Sequence, residues 1–221
     1  NTMAAFRIAL EQGAHMIEID LQLTSDDIPV IFHDSALDRT SNGKGIVGHS
    51  RYEEISGLDA GSWFSEEFEG EKIPALDEFS KFIKDKAYLN IEIKSRKTSP
   101  IENRLDKILD IIKDHNLGQY TLFSSFDHGL LMKIKEKEPA FHTAAIMIPN
   151  DKRLPSEICG EIGAEGFVCS LLEINENIAK NAAKNDIYVG VYSIDKPDHM
   201  EIIRPFKIKA VVTNYPGRIN I

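Results

Sequence analysis

The sequence predicts a single α/β domain of the TIM-type (β/α)8 barrel class, and three features support this prediction. Strand-like and helix-like segments alternate along most of the 221 residues, a pattern typical of parallel strands covered by helices. Besides one short antiparallel arm, seven strands can be counted, one fewer than the eight that close such a barrel. No glycine-rich dinucleotide-binding fingerprint follows any predicted strand, which disfavours a doubly wound sheet.

The composition narrows the range of partners. The chain carries 26 basic and 35 acidic residues and a formal net charge of -9, so its surface as a whole repels nucleic acids and anionic membranes. No apolar run approaches the roughly 20 residues that cross a bilayer, and no signal-like segment is present. Cys159 and Cys169 lack the spacing of metal ligands and are predicted to be reduced thiols. We expect a cytoplasmic protein by default, with export and oligomeric state left open.

An N-terminal helix is predicted over residues 3–10, because Thr2 is a good N-cap and Gly13 ends the apolar periodicity. Residues from about 35 to 74 are polar and rich in glycine, and this long segment is predicted to form a small functional insertion. The later helices are predicted over residues 76–85, 102–115, 128–137, 156–162, 175–185 and 198–205. The strands that alternate with them are predicted over residues 88–94, 121–124, 142–148, 166–169, 187–192 and 210–213.

A β-hairpin is predicted after the first helix, with strands over residues 16–23 and 29–33. If Asp26 and Asp27 are the two central residues of its turn, Asp20 lies directly opposite His33, and opposed residues share one face of a sheet. A shift of one residue would remove His33 from that face. His33 is therefore a candidate acid or base through this register, since a histidine at a strand end is otherwise often structural.

Charged side chains stand near the ends of two predicted strands. Glu18 and Asp20 are two residues apart and point to the same face, and Glu92 and Lys94 repeat this spacing in a later strand. Active residues of (β/α)8 barrels lie at the carboxyl ends of the strands, so we expect the three carboxylates to converge. With Lys94 they predict a site for a hard divalent cation, Mg²⁺ or Ca²⁺. A buried ion-pair network without metal is the alternative.

Short motifs spread over nearly the whole chain share an order with those of a known family. They are Asn1-Thr2, Gly13-Ala14, Glu18-Ile19-Asp20-Leu21-Gln22-Leu23-Thr24, His33-Asp34-Ser35-Ala36-Leu37-Asp38-Arg39-Thr40-Ser41-Asn42-Gly43, Leu58-Asp59-Ala60-Gly61-Ser62-Trp63-Phe64, Ile73-Pro74-Ala75-Leu76, Asn90-Ile91-Glu92-Ile93-Lys94, Phe123-Ser124-Ser125-Phe126 and Val212-Thr213-Asn214-Tyr215-Pro216. In these motifs the chain resembles the glycerophosphodiester phosphodiesterases. The resemblance implies a TIM-type barrel with a small insertion after the second visible strand, at about residues 35–74.

The resemblance also implies a reaction and a set of site residues. The reaction is the metal-dependent hydrolysis of small glycerophosphodiesters to glycerol 3-phosphate and an alcohol by acid/base catalysis, with Mg²⁺ or Ca²⁺ as cofactor. Glu18, Asp20 and Glu92 are implied as metal ligands. His33 is implied as one of two acid/base histidines, and Lys94 as a cation facing the phosphate.

Three further residues are predicted to contact the substrate. Ser124 and Phe126 are expected to line the cleft, although Phe126 could equally belong to the core. Tyr192 stands where relatives usually have tryptophan and is expected to form an aromatic wall for glycerol; a tyrosine at the rim, hydrogen-bonded through its hydroxyl, is the alternative. Asn214 stands where aspartate is common in the family.

The family normally begins with a His-Arg-Gly strand that carries a second catalytic histidine and an arginine, whereas this chain begins at the Asn-Thr pair. We expect that strand, the first of the barrel, to lie upstream of residue 1, and the activity of the chain depends on it. The alternative is a catalytically incomplete barrel that binds phosphodiesters or polyol phosphates. An enzyme of the same superfamily acting on larger phospholipids is a third possibility, disfavoured because no exposed apolar helix is evident.

Overall fold

The computed structural model describes residues 1–94, 101 and 104–219. The chain divides into two compact units, Asn1–Thr121 and Leu122–Ile221. The helices are α1 Met3–Glu11, α2 Tyr52–Ile55, α3 Leu76–Ile83, α4 Leu105–Asp114, α5 His128–Lys137, α6 Pro155–Ile162, α7 Glu176–Lys184 and α8 Pro197–Ile203. The strands are β1 Met16–Leu23, β2 Pro29–Ile31, β3 Tyr88–Ile93, β4 Thr121–Ser125, β5 His142–Ile146, β6 Gly166–Ser170, β7 Tyr188–Tyr192 and β8 Ala210–Val211.

In the first unit, β1 lies between an antiparallel neighbour, β2, and a parallel neighbour, β3. Its residues from Ile17 onward are buried or partly buried, as expected for a strand covered on both faces. The preceding helix α1 begins as predicted, because the Thr2 side chain accepts a hydrogen bond from the Ala5 N–H. Parallel pairing of β1 with β3 aligns the carboxyl ends of these two strands.

The hairpin of β1 and β2 has a different register from the predicted one. Leu21 pairs with Ile31, and the Phe32 N–H donates to the Asp20 carbonyl at 2.9 Å, so the prediction that His33 lies opposite Asp20 was wrong. The turn has three residues instead of two, because the Thr24 N–H donates to the Ile28 carbonyl and Asp27 adopts a positive φ of 63°. The extra residue shifts every pairing by one, and β2 ends at Ile31.

The segment between β2 and α3 has a small hydrophobic core of its own. It is formed by Val30, Phe32, Leu37, Val47, Ile55, Ala60 and Ile73. Asp59 holds the following loop, since its carboxylate accepts hydrogen bonds from the N–H groups of Gly61, Ser62 and Gly70. The core joins this segment to β2, because two of its members, Val30 and Phe32, belong to β2 or directly follow it.

In the second unit, β4 to β8 run parallel, each pairing with the next along the chain, and α5 to α8 alternate with them. The described elements lie within a few residues of the predicted bounds; α4 begins at Leu105, and positions 102–103 of its predicted range lie outside the described residues. Cys159 and Cys169 are buried free thiols, as predicted. Burial raises the pKa of each to about 12, which makes them unreactive.

The assignment of residues 1–221 to a single domain, with an insertion at about 35–74, stays a prediction. Within the part of the chain that the structure describes, no helix has the length and apolar character needed to cross a membrane.

Candidate active site

Three carboxylates meet at neighbouring positions of β1 and β3. Glu18 and Asp20 project from one face of β1, and in the parallel register Asp20 is the direct partner of Glu92. One carboxylate oxygen from each of the three side chains lies within 4.8 Å of the other two. The convergence predicted from the i, i+2 spacing is therefore present, and the strand register produces it.

Lys94 continues the alternation of β3 and lies against two of these carboxylates. Its ammonium is 2.7 Å from an Asp20 oxygen and 2.5 Å from a Glu92 oxygen, and its backbone N–H donates to the Leu21 carbonyl. Although burial alone would lower the pKa of Lys94, the charges of Asp20 and Glu92 raise it above its usual value. Lys94 is thus a fixed positive charge inside the carboxylate cluster.

One lysine does not neutralise three carboxylates, and two of them, Glu18 and Glu92, have raised pKa values. Burial, together with the charges of Asp20 and Glu92, raises the pKa of Glu18 to about 8. Burial also raises the pKa of Glu92, against the opposing effect of Lys94. A partly buried cluster of carboxylate oxygens with unbalanced negative charge fits a divalent cation.

The side chain of Asn1 fixes the orientation of Asp20. Its amide nitrogen donates to Asp20 Oδ2 at 2.8 Å, while its oxygen accepts the Asp20 backbone N–H at 3.1 Å. This pair of bonds ties the start of the chain to the middle of β1. Asp20 is consequently held from two sides, by the amide of Asn1 and by the ammonium of Lys94.

His33 reaches this part of the molecule by a path that the sequence did not reveal. The Gln22 amide nitrogen lies 2.6 Å from the Phe32 carbonyl, 3.3 Å from that of His33 and 2.6 Å from that of Asp34. These contacts hold the chain beyond the end of β2. They fix the backbone on both sides of His33, although the hairpin register differs from the predicted one. In its charged form His33 would lower the pKa of Glu92, an effect smaller than that of burial, which raises it.

The predicted substrate contacts Ser124, Phe126 and Tyr192 lie in the second unit. Ser124 is buried in β4 opposite Ala144, and Phe126 follows the end of β4 with 39% of its surface exposed. Tyr192 is the partly buried last residue of β7 and pairs with Ser170. All three stand near carboxyl ends of parallel strands, while their contacts with a substrate stay a prediction.

Four residues around the site lie within the motifs of the resemblance but were assigned no role from the sequence: Asn1, Gln22, Asp34 and Arg39. A signal existed for Gln22, because it follows Glu18 and Asp20 at the same two-residue spacing and therefore shares their face. For Asn1, Asp34 and Arg39 no periodic pattern applies, since their hydrogen bonds depend on the path of the chain outside the strands.

Comparison with known proteins gives consistent matches over the length of the chain. The model of the glycerophosphoryl diester phosphodiesterase family matches residues 1–218. A glycerophosphodiester phosphodiesterase of Caldanaerobacter subterraneus subsp. tengcongensis is 34% identical over 219 residues, which cover 98% of this chain and 88% of that protein. A solved phosphodiesterase of Oleispira antarctica, in complex with the product sn-glycerol-3-phosphate, is 28% identical with a TM-score of 0.91; the match covers 99% of this chain and 89% of that one. A glycerophosphodiester phosphodiesterase of Agrobacterium tumefaciens is 26% identical with a TM-score of 0.84, over 98% of this chain and 91% of its own.

The fold and the relatives together define a phosphoric diester hydrolase built on a TIM-type α/β barrel, the fold class of these structural neighbours. The match over residues 1–218 shows that the chain belongs to the glycerophosphoryl diester phosphodiesterase family. The fold class and the family that the sequence predicted are both confirmed.

Proposed function

We propose that the protein hydrolyses glycerophosphodiesters to glycerol 3-phosphate and an alcohol with the help of a divalent cation, Mg²⁺ or Ca²⁺. The observation that carries the proposal is the convergence of Glu18, Asp20 and Glu92 within 4.8 Å in a chain of this family. The solved relative from Oleispira antarctica, which contains sn-glycerol-3-phosphate as its product, supports the proposed product.

In this proposal the residues of the first unit have distinct roles. Glu18, Asp20 and Glu92 would hold the cation, which when bound supplies positive charge that stabilises the phosphoryl oxygens. Lys94 adds a second, permanent positive charge beside them. His33 transfers a proton at its imidazole, either to the departing alkoxide or from the attacking oxygen. Ser124, Phe126 and Tyr192 are proposed to contact the substrate.

The proposal is tested by following release of choline from glycerophosphocholine by the full-length protein, with Mg²⁺, Ca²⁺ or a chelator. Turnover is expected only with the metal ion, and Glu18→Ala and Glu92→Ala are each expected to reduce kcat by at least about 10³-fold, because each removes a ligand. Glu53→Ala, an exposed acidic residue of α2, is the matched control and should leave kcat unchanged.

Undiminished turnover in chelator, or in both variants, would contradict the proposal. Metal-dependent binding of glycerol 3-phosphate without any turnover would instead indicate a non-catalytic barrel that binds polyol phosphates. Cleavage of lysophosphatidylcholine in preference to glycerophosphocholine would indicate an enzyme for larger phospholipids.

A further inference from the structure

Gln22 holds the backbone on both sides of His33. It is the next residue after Asp20 on the same face of β1, and only 4% of its surface is exposed. Its amide nitrogen is 2.6 Å from both the Phe32 and the Asp34 carbonyls, so its two hydrogens can reach the residues that flank His33. Because β2 ends at Ile31, these bonds replace strand pairing where the His33 segment leaves the sheet.

Asp34 holds the imidazole ring of His33. Its Oδ1 lies 2.6 Å from His33 Nδ1, and Arg39 binds the same carboxylate through two nitrogens, with Nε 2.5 Å from Oδ2 and Nη2 2.8 Å from Oδ1. A paired guanidinium and carboxylate of this kind has a fixed planar geometry. Hydrogen bonds from Arg39, and then from His33, hold the pKa of Asp34 well below its usual range, so Asp34 is an acceptor only.

We propose that Gln22 and Asp34 are positioning residues for His33: Gln22 fixes its backbone, and Asp34, clamped by Arg39, fixes its ring with the proton on Nδ1. Since Asp34 can only accept, Nδ1 must donate to it, which leaves Nε2 as the nitrogen that exchanges a proton with the substrate. The role in catalysis rests on the proposed phosphodiesterase activity, whereas the state of the ring can be measured without it.

The exposure of His33 and Arg39 distinguishes a positioning role of Asp34 from a role in folding stability. The side chains of His33 and Arg39 are 56% and 58% exposed, and ion pairs between such exposed groups contribute little to stability. The contacts of Asp34 should therefore matter for the orientation of the ring more than for folding. Asp34→Asn is then expected to change kcat strongly and the melting temperature little.

The catalytic part is tested with a double-mutant cycle of Asp34→Asn and His33→Ala in the full-length, metal-loaded protein. Asp34→Asn alone should lower kcat by about 10- to 100-fold, within the range of general acid–base contributions, while KM changes less than about threefold. In the His33→Ala background the same change should have less than a twofold effect, because Asp34 acts through His33. Asp38→Asn is the control and should be neutral, because the Asp38 carboxylate accepts a hydrogen bond from the Gly45 N–H and its contact is with the loop backbone. Equal losses in both backgrounds, or no loss in Asp34→Asn, would overturn the proposal.

Gln22 is tested in the same way with Gln22→Met, which keeps the length of the side chain but removes the donors. We expect at least a tenfold loss of kcat that disappears in the His33→Ala background, together with an unchanged melting-temperature increase on adding Mg²⁺. The exposed Gln119→Met is the matched control. Should Gln22→Met not fold, Gln22→Asn retains the amide but is too short to reach both carbonyls, and the same loss is expected. An additive loss, or none, would contradict a positioning role.

The state of the ring is measured independently of activity by ¹⁵N NMR of histidine-labelled protein. The neutral His33 ring should carry its proton on Nδ1 in the unmodified protein, and Asp34→Asn should shift the population toward the Nε2-protonated form, because an amide can donate to Nδ1. An Nε2-protonated ring in the unmodified protein would overturn the assignment even if the enzyme is active. An Nδ1-protonated ring in an inactive protein would contradict only the proposed function.

Discussion

Glu18 occupies a position at which the site is assembled at the expense of stability. Its carboxylate shares a partly buried space with Asp20 and Glu92, and Lys94 offsets part of the three negative charges. The rise in its pKa from an ordinary value of 4.5 to about 8 means that the folded protein favours the protonated form. Such shifts often mark functional sites, because a bound cation reverses their cost.

The shift of Glu18 predicts a dependence of stability on pH in the absence of metal. Because its pKa is higher in the folded than in the unfolded chain, its contribution is fully present below about pH 4.5 and is lost as the pH rises to about 8. A shift of this size corresponds to at most about 5 kcal/mol. Glu18→Gln, which cannot ionise, should therefore fall less in stability over this range and should be more stable than the unmodified protein at pH 9.

The measurement is urea unfolding in chelator from pH 4.5 to 9, with Glu53→Gln as the control carboxylate. Equal slopes for Glu18→Gln and the unmodified protein would show that Glu18 is not held at a raised pKa. Addition of Mg²⁺ should reverse the order of stability at pH 9, because the unmodified cluster gains the cation and the variant loses a ligand.

The packing of the segment between β2 and α3 depends on one glycine, Gly61. A Cβ atom at Gly61 would lie 1.9 Å from the Phe68 carbonyl oxygen, which is backbone and cannot rotate away. Gly61→Ala is expected to lower the free energy of unfolding by about 2 kcal/mol, as for other forced contacts in packed regions. Gly57→Ala, where a Cβ atom meets nothing within 4 Å, should change it by less than about 0.5 kcal/mol. Equal effects in thermal or urea unfolding would contradict this packing.

The short strand β8 is stabilised by hydrogen bonds between the segment that follows β7 and the segment that follows β8. Asp195, after β7, accepts hydrogen bonds from the Asn214 N–H at 2.8 Å, the Asn214 side chain at 3.1 Å and the Thr213 hydroxyl at 3.2 Å. The register of β7 and β8 contains two residue pairs, Gly190 with Ala210 and Val191 with Val211. Asp195→Ala is therefore expected to cost about 1–3 kcal/mol and to speed amide exchange at Val212. The neighbouring exposed Lys196→Ala should change neither, and unaltered exchange in Asp195→Ala would refute the role of the contact.

Local spacing explains which residues of the candidate site could be predicted from the sequence. The carboxylates of Glu18, Asp20 and Glu92 were found because side chains two residues apart share a strand face, and that rule needs no knowledge of the rest of the chain. The register of His33 failed because a three-residue turn, with Asp27 at positive φ, replaced the assumed two-residue turn. The hydrogen bonds of Gln22 and Asp34 could not be foreseen, since they follow from the path of the chain after β2.

In the molecule as a whole, the net charge disfavours the approach of an anionic substrate. The formal net charge of -9 repels a phosphodiester, so attraction must come from charges within the site. Lys94 is surrounded by carboxylates and cannot supply this alone. A divalent cation at Glu18, Asp20 and Glu92 would provide the missing charge, which links the composition of the chain to the proposed metal dependence.

The most direct test of metal-dependent hydrolysis is ³¹P NMR of glycerophosphocholine incubated with the full-length protein and Mg²⁺ or Ca²⁺. We predict that the phosphodiester signal is replaced by that of glycerol 3-phosphate, with free choline released in equal amount, and that chelator stops the conversion. Persistence of the phosphodiester signal with either cation, or the appearance of phosphocholine instead of glycerol 3-phosphate, would contradict it.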